Sequence, residues 1–393
     1  MELSILIVKA LIILVIFGIT LLIATYSTYA ERKVAAFLQD RPGPNRAGPF
    51  GLLQPIADAG KMFFKEEFIP REASTWLFIL GPCLAMITAL MSSAVVPFGD
   101  TLLVNGKAVT VQGIDVNIGL LYVFGVVSLG VYGIMIGGWA SNNKFSLLGA
   151  IRAASQNISY ELAMGLSIIA ILMMSGSLSL RTIVEQQSAA VFGISGLNWN
   201  IFYQPVGFIL FLTCAFAECN RTPFDLPECE TELIGGYHTE YSSMKLGFYL
   251  FAEYINMFVS SAVISTLYFG GYNYPGMDWV RGALTDGLGA VTGHNVATLI
   301  GTVVIFAKTF FFIFFFMWVR WTLPRFRYDQ LMNLGWKSMI PIAILNVLLT
   351  GAGLLLDTKL MSWAMVVIIV LVAVVQGAMA TKKRAQARSY SRA

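Results

Sequence analysis

The sequence predicts an all-α polytopic membrane protein with nine transmembrane helices. Of the 393 residues, 57% are hydrophobic and 12% are charged, whereas a soluble domain carries about 25% charged residues. The mean hydropathy is +0.71, and the apolar stretches are long and continuous, unlike the short alternating strands of a transmembrane barrel. This composition excludes a soluble globular enzyme, a coiled coil and a disordered chain.

Nine stretches are long enough to cross a bilayer, because a spanning helix needs about 20 mainly apolar residues. The predicted spans are 3–30, 75–98, 117–140, 157–180, 201–219, 243–270, 296–320, 338–356 and 360–380. Residues 1–380 are therefore expected to form a single membrane domain, and residues 381–393 a basic cytoplasmic tail.

The basic residues predict the orientation, because Lys and Arg concentrate in cytoplasmic loops. The loops after the first, third, fifth and seventh spans, together with the tail, contain nineteen Lys and Arg residues, and the opposite loops contain four. The N-terminus is thus predicted outside and the C-terminus inside.

A small β-hairpin is predicted in the outer loop at residues 101–116, TLLVNGKAVTVQGIDV. Asn105-Gly106 lies there between two segments of alternating apolar residues, and this dipeptide favours a two-residue hairpin turn.

A surface helix is predicted near residues 51–65, in the long inner loop 31–74. Leu53, Ile56, Gly60 and Phe63 recur at helical spacing, with polar residues between them. This pattern is typical of an amphipathic helix lying in the membrane interface.

The cysteines and histidines predict that this chain holds no metal. Four cysteines show no C-x-x-C spacing, and the two histidines, His238 and His294, are far apart. No iron–sulfur, haem or zinc ligand set can be assembled from them. Electrons for any redox reaction would come from a partner protein.

Charged residues inside or near the spans are the first candidate functional groups. Lys9, Glu253 and Lys308 lie within spans, and Glu161 and Glu218 lie close to span ends. Each intramembrane charge costs roughly 2.5–3.5 kcal/mol on insertion scales. Lys9 is close enough to the outer surface to extend its ammonium group there, whereas the others indicate a functional site.

An acidic inner loop, AECNRTPFDLPECETELIGGYHTEY at residues 217–241, is the second candidate. Counting only Lys and Arg, it has a single basic residue, Arg221, against six acidic ones: Glu218, Asp225, Glu228, Glu230, Glu232 and Glu240. Asp225, Glu228 and Glu232 would share one face of a helical turn. Carboxylates this close cannot all ionise in a partly buried site, so they are suited to storing or relaying protons.

Four segments carry a resemblance to a known family. The acidic loop, RPGPNRAGPFGLLQPIADAGKMFFKEE, GWASNNKFSLLGAIRAASQNISYE and LPRFRYDQLMNLGWK are similar to the quinone-chamber membrane subunit of respiratory complex I, which is the H subunit in bacteria and subunit 1 in mitochondria. The resemblance covers essentially the whole chain. Mitochondrial members have eight spans, and the ninth predicted here resembles some bacterial members.

The resemblance implies a role in proton-pumping NADH:quinone oxidoreductase. The protein would form the tunnel by which quinone, the substrate, leaves the bilayer, and would start the proton relay. FMN and iron–sulfur clusters would lie in partner subunits, and this chain would bind no cofactor or nucleic acid. Its partners would be the peripheral quinone-site subunits, neighbouring small membrane subunits and membrane lipid, in a bacterial cytoplasmic membrane rather than an organellar one.

The resemblance also implies roles for individual residues. The tunnel-lining set would be Arg32, Arg41, Asp58, Lys61, Arg221, Phe224, Glu228, Arg320 and Arg325. The relay set would be Glu161, Glu218, Asp225, Glu230, Glu232, Glu240 and Glu253, with Lys308 as an intramembrane partner.

Three other interpretations compete with this one. A stand-alone proton-coupled transporter would explain the intramembrane charges, but the sequence shows no internal repeat. The homologous membrane subunit of an energy-converting hydrogenase or related ferredoxin-driven complex would share part of the motifs. An inert scaffold for the peripheral subunits would leave the cost of Glu253 and Lys308 unexplained.

Single cysteines at Asn45 and Asn105 test the predicted orientation. In a background in which the four native cysteines are replaced by alanine, a membrane-impermeant maleimide should label position 45 from the cytoplasmic side and position 105 from the outside. Permeabilised membranes, in which both positions should react, are the control. Labelling of both positions from the same side of sealed vesicles would contradict the topology.

Overall fold

The first helix, α1, covers Leu3–Leu38 and is longer than the predicted span 3–30. It continues without a break through Glu31, Arg32 and Lys33 because Ala, Glu, Arg and Lys all favour helix. It ends shortly before Pro42, which disfavours helical conformation in the preceding residue. The computed structural model describes residues 3–104, 107–191, 193–227, 230–357, 363–364 and 366–368.

The predicted surface helix is confirmed as α2, Gln54–Phe64, which follows a 3-10 turn at Pro49–Gly51. Its apolar side chains point away from the rest of the molecule, since Leu53, Ile56 and Phe63 are 50%, 57% and 68% exposed. A helix with such an unburied apolar face is suited to lying in the membrane interface.

The predicted hairpin is also confirmed. After α3, Thr75–Ser93, strand β1 (Thr101–Val104) pairs antiparallel with β2 (Lys107–Thr110). The turn residues Asn105-Gly106 lie outside the described residues.

The remaining elements follow in chain order. They are α4 (Gly119–Ala140), α5 (Lys144–Ser175), α6 (Leu180–Gln186), α7 (Pro205–Glu218), α8 (Glu230–Leu233), α9 (Ser243–Tyr268), α10 (Met277–Leu288), α11 (Ala290–Thr322), α12 (Tyr328–Asn333) and α13 (Ile340–Leu355). Short 3-10 turns occur at Asn200–Phe202 and Gly236–His238, and a π-helical turn at Leu334–Met339 joins α12 to α13.

The helix lengths identify a multi-pass membrane protein. Within the described residues, seven helices are long and apolar enough to cross a bilayer: Ile7–Leu38, Thr75–Ser93, Gly119–Ala140, Lys144–Ser175, Ser243–Tyr268, Ala290–Thr322 and Tyr328–Leu355.

One of the nine predicted spans has a shorter helix, and another cannot be compared within the described residues. At the predicted span 201–219, α7 has 14 residues, or about 21 Å at 1.5 Å per residue. The last predicted span, 360–380, falls mostly outside the described residues, and the tail 381–393 falls entirely outside them. Nine spans and their orientation therefore remain predictions.

Helix α9 lies at the centre of the bundle and contacts α1, α2, α3, α6, α7 and α11. Its Tyr249 hydroxyl donates to the carbonyl oxygen of Gly133 in α4, at 3.1 Å. A Cβ atom at Gly137 would lie 1.9 Å from that hydroxyl, so glycine is required for this close approach. Tyr241 lies beside it and donates to the carbonyl oxygen of Phe78 at 3.1 Å, and burial raises the pKa of Tyr241 to about 12.

The hairpin and α2 lie at opposite ends of α1. Lys9 near the start of α1 donates to Thr110 and to the carbonyl oxygen of Gln112 beside the hairpin, whereas Arg32 near its end binds Asp58 on α2. The 23 intervening steps along the helix correspond to about 35 Å, which exceeds the hydrocarbon thickness of about 30 Å. The two elements are therefore far enough apart to lie on opposite faces of a membrane.

Candidate functional site

A cavity of about 300 Å³ lies between α1, α2, α9 and the end of α11. One part of its wall is charged, with Glu31, Arg32, Arg41, Asp58, Lys61 and Arg320. The other part is largely apolar, with Ala35, Met62, Leu250, Phe251 and Trp321. The structure thus brings together five of the predicted tunnel residues: Arg32, Arg41, Asp58, Lys61 and Arg320.

Helix α2 supplies the charges on its side of the cavity. Asp58 accepts a hydrogen bond from Arg32 at 2.6 Å and lies 3.9 Å from Lys61, three residues further along α2. Gln54, one turn earlier, donates to the same carboxylate at 3.3 Å. These contacts fix α2 against the inner end of α1.

Glu31 organises the inner end of this cavity, and it is absent from the site residues predicted from the sequence. Its side chain is 8% exposed. One carboxylate oxygen binds Arg320, and the other accepts from the Tyr254 hydroxyl at 2.9 Å and lies 3.4 Å from Arg221. The carboxylate thereby joins α1 to α9, α11 and the acidic loop.

The periodicity of α1 contains a signal for Glu31. Thr20, Ala24, Ser27, Glu31 and Ala35 are all buried and recur every three or four residues, so they form one stripe of small and polar residues facing the protein. The charged triplet Glu31-Arg32-Lys33 has the composition of a loop that follows a span. Because of this composition, the sequence alone predicts that the helix ends before Glu31, although the buried stripe continues through it.

Arg221 is placed behind the cavity wall. Arg221 is 4% exposed, and its guanidinium group stacks over the Tyr254 ring at 4.2 Å. Of the described residues, it reaches the cavity through Glu31 and Tyr254 and does not line it directly. Arg221 therefore adds its positive charge to the cavity wall from behind, without lining the cavity.

Phe224, Asp225 and Arg325 form a neighbouring centre, and the described lining of the large cavity does not include them. Asp225, 6% exposed, is bound by Arg325 at 2.8 Å. Phe224 is 3% exposed and packs between the rings of Tyr160 and Phe326. Tunnel roles for Phe224 and Arg325 stay predictions.

Two of the predicted relay carboxylates, Glu218 and Glu253, line a second cavity of about 30 Å³. Glu253 accepts a hydrogen bond from the Tyr237 hydroxyl at 3.1 Å. Glu161, bound by the Ser128 hydroxyl, lies close enough to Glu218 for their charges to interact. Three carboxylates on α5, α7 and α9 therefore converge.

The other acidic residues of the loop are more dispersed than predicted. The described part of the segment around them is helical only over Glu230–Leu233, so Asp225 and Glu232 do not share a helical face. Glu232 pairs with Arg152 at 2.6 Å, and Glu240 accepts from Asn143 at 2.6 Å. Arg152 and Arg325 thus supply positive charge in addition to that of Arg221, and Glu228 lies outside the described residues.

Lys308 lies beyond the C-terminal end of α9, whereas Glu253 lies near the middle of that helix. Its ammonium group donates to the carbonyl oxygens of Phe269, Gly271 and Asn273 at 2.7, 2.8 and 2.6 Å. The sixteen steps from Glu253 to Phe269 correspond to about 24 Å of helix. Lys308 therefore closes the carbonyl end of α9, where the helix dipole favours a cation.

Among the described residues, no group of three or more His, Cys, Asp or Glu side chains is arranged to hold a metal ion. Fold and site together define the class of this protein: a polytopic α-helical membrane protein with an amphiphilic cavity beside an interfacial helix, and buried carboxylates behind it.

The comparisons with known proteins give the family. The NADH dehydrogenase family model matches residues 10–351. The H subunit of NADH-quinone oxidoreductase from Flavobacterium johnsoniae is 63% identical over 355 residues, 90% of this chain and 97% of that protein. The corresponding H 1 subunit from Cytophaga hutchinsonii is 64% identical over 348 residues (88% and 97%), and subunit 8 from Rhodothermus marinus is 45% identical over 347 residues (88% and 97%).

The chain belongs to the NADH dehydrogenase family. The resemblance to the complex I membrane subunit drawn from the sequence motifs is thereby confirmed.

Replacing Glu31 tests its role in joining the helices. Glu31→Gln keeps the shape but removes the negative charge that Arg221 and Arg320 contact, and breaking a buried ion pair costs about 3–5 kcal/mol. We expect a lower melting temperature of the purified complex. Glu72→Gln, on an exposed loop residue, is the matched control, and equal melting temperatures for the two variants would contradict the role.

Proposed function

We propose that the large cavity is the passage by which a quinone head group enters from the bilayer, and that the converging carboxylates start a proton relay in a proton-pumping NADH-quinone oxidoreductase of a bacterial cytoplasmic membrane. The observation that carries the proposal is the mixed chemistry of the cavity wall: charged donors on one side and Leu250, Phe251 and Trp321 on the other. The names of the relatives, which are components of NADH-quinone oxidoreductase, agree with it.

The cavity wall matches the two parts of a quinone. The head group presents two carbonyl oxygens, which accept hydrogen bonds from cations such as Arg32 and Arg320. The isoprenoid tail needs an apolar path, and Leu250 and Phe251 on α9 provide one. Because α2 leaves its apolar face unburied, this side of the cavity is suited to contact with lipid.

The chain's own groups position the quinone and supply protons, while the electrons come from partner subunits that carry FMN and iron–sulfur clusters. The inner loops beside the cavity form the docking surface for those subunits. Reduction of one quinone to a quinol takes up two electrons and two protons. The protein must therefore deliver protons to a site in which most of the lining charges are fixed by ion pairs.

The segment Glu218–Arg221 provides the connection between quinone and relay. Arg221 binds Glu31 at the large cavity, while Glu218 and Asn220 line the small one. A change in charge at the quinone site acts through Arg221 on the carboxylates one turn away, because charges interact strongly where water is largely excluded. Glu161 and Glu253 carry the path onward, into α5 and α9.

The competing classes have weaker support. A stand-alone transporter would not require an amphiphilic, lipid-facing cavity at the inner ends of its helices. Relatives more than 60% identical over nearly the whole chain favour the complex I branch over the homologous subunit of an energy-converting hydrogenase.

Replacing Lys61 tests the quinone passage. Lys61→Met removes one charge from the cavity wall, and we expect quinone reductase activity to fall about tenfold, equivalent to ~1.4 kcal/mol of lost interaction. NADH oxidation by a water-soluble artificial acceptor should not change, since it bypasses the membrane. Lys65→Met, at the end of the same helix but off the described cavity lining, is the control, and loss of both activities in Lys61→Met would indicate damaged assembly instead.

Replacing Glu253 tests the relay. Glu253→Gln keeps the side-chain shape and the Tyr237 contact but cannot titrate, so coupled quinone reduction should be abolished while the artificial-acceptor reaction persists. Glu185→Gln, a half-exposed carboxylate beside Arg181, is the matched control. Proton pumping at the normal ratio and rate in Glu253→Gln would show that Glu253 is structural.

A further inference from the structure

The small cavity contains more polar groups than the two carboxylates of the proposed relay. It lies between Glu218 at the end of α7 and Glu253 on α9. Asn157 on α5 and Asn256 on α9 also line it, and residues of α3 and α4 such as Ala85 close the opposite, apolar wall. Neither asparagine belongs to the predicted relay.

The volume of this cavity suits water. The cavity has a volume of about 30 Å³, and a cavity needs a volume of roughly 10–15 Å³ to hold one water molecule. About two water molecules therefore fit between the carboxylates, whereas a quinone head group does not.

The two asparagines show where such water would be bound. The side-chain amide oxygens of Asn157 and Asn256 are buried and have no hydrogen-bond partner among the described residues, and Asn157 is 6% exposed. Burying a carbonyl oxygen without a donor is unfavourable. A water molecule in the cavity would donate to these oxygens and have the two to four polar partners that buried water requires.

We propose that Asn157 and Asn256 are positioning residues that orient water between Glu218 and Glu253, so that a proton passes from one carboxyl group to the other. This inference rests on the proposed relay and adds the groups that make it continuous. Each amide oxygen accepts one hydrogen of a water molecule, which turns a lone pair of that water toward the protonated carboxyl group.

The transfer itself is balanced in atoms and charge. The O–H bond of protonated Glu218 breaks as its proton moves to the water oxygen. An O–H bond of that water breaks as a proton moves to the Glu253 carboxylate. One proton has moved, the water is regenerated, and the negative charge has shifted from Glu253 to Glu218.

Substitutions at Asn157, made in the assembled, membrane-bound complex, test the proposal. Asn157→Leu fills a similar volume without a polar atom, so quinone-linked turnover should fall about tenfold or more. Its solvent deuterium isotope effect should rise, since proton transfer then limits the rate. Asn157→Ala enlarges the cavity and lets water replace the amide, so most of the turnover should remain. Oxidation of NADH by a water-soluble acceptor reports assembly and should be normal in both variants.

Gln156→Leu is the matched control. Gln156 is the adjacent residue on α5 and is fully buried, but it is not among the described residues that line the small cavity. Its amide nitrogen donates to the carbonyl oxygens of Ala217 and Phe224 at 2.8 and 2.9 Å. Its replacement should lower the melting temperature without changing the isotope effect. Asn256→Leu gives the same test from the α9 side if Asn157→Leu fails to assemble.

The outcomes separate this inference from the proposed function. Normal turnover and isotope effect in Asn157→Leu, or equal losses in the leucine and alanine variants, would overturn the positioning role. If Glu253→Gln blocks pumping in the same preparations, the relay stands and only the role of the asparagines fails. If Glu253→Gln pumps normally, the relay itself is refuted.

Discussion

The carboxylate of Glu31 is the interaction on which the arrangement of this molecule depends. A buried anion is unfavourable unless it is paired and hydrogen-bonded, and Glu31 contacts Arg221, Arg320 and Tyr254 at once. These partners come from three different parts of the chain, so satisfying one charge fixes α1, α9, the end of α11 and the acidic loop relative to each other. Three of those elements, α1, α9 and the end of α11, line the large cavity together with α2. The ion pair between Arg32 and Asp58 attaches α2 to α1.

Helix α9 is held near its middle and beyond its C-terminal end by charges of opposite sign. Near the middle, Glu253 lines the small cavity and Tyr254 donates to Glu31, and beyond the end Lys308 donates to three carbonyl oxygens. Those oxygens lie where the helix dipole is negative, so the ammonium group compensates both the dipole and the unpaired acceptors. A helix fixed in this way cannot easily rotate. The carboxylate of Glu253 therefore keeps its place in the small cavity.

The parts of this fold that local patterns determine are predictable from the sequence, and the parts that distant contacts determine are not. The hairpin and α2 follow from alternation and helical spacing over about ten residues. The structure has α2 with nearly the predicted boundaries, and its hairpin strands end at Thr110, within the predicted segment 101–116. The pairing of Asp225 with Arg325, 100 residues later, and of Glu232 with Arg152 requires the packed bundle. Glu31 escapes prediction for a similar reason: its importance lies in its three partners, none of which is near it in sequence. Lys308 is recognisably costly from the sequence, but its partners are backbone carbonyls, which no side-chain pattern reveals.

The two cavities differ in a way that suits them to different tasks. The described lining of the large cavity combines anions with four cations, Arg32, Arg41, Lys61 and Arg320, whereas the described lining of the small one includes two carboxylates and no lysine or arginine. Carboxylates paired with cations give a fixed arrangement of charge, which can orient a neutral polar molecule. Carboxylates that line one small cavity are suited to the proposed sharing of protons, because charging both at once is costly. In the proposed relay, the segment from Glu218 to Arg221 links the two cavities, because Arg221 binds Glu31 at the first and Glu218 lines the second. A change of charge in the first would then shift the proton distribution in the second. That coupling needs no movement of the backbone.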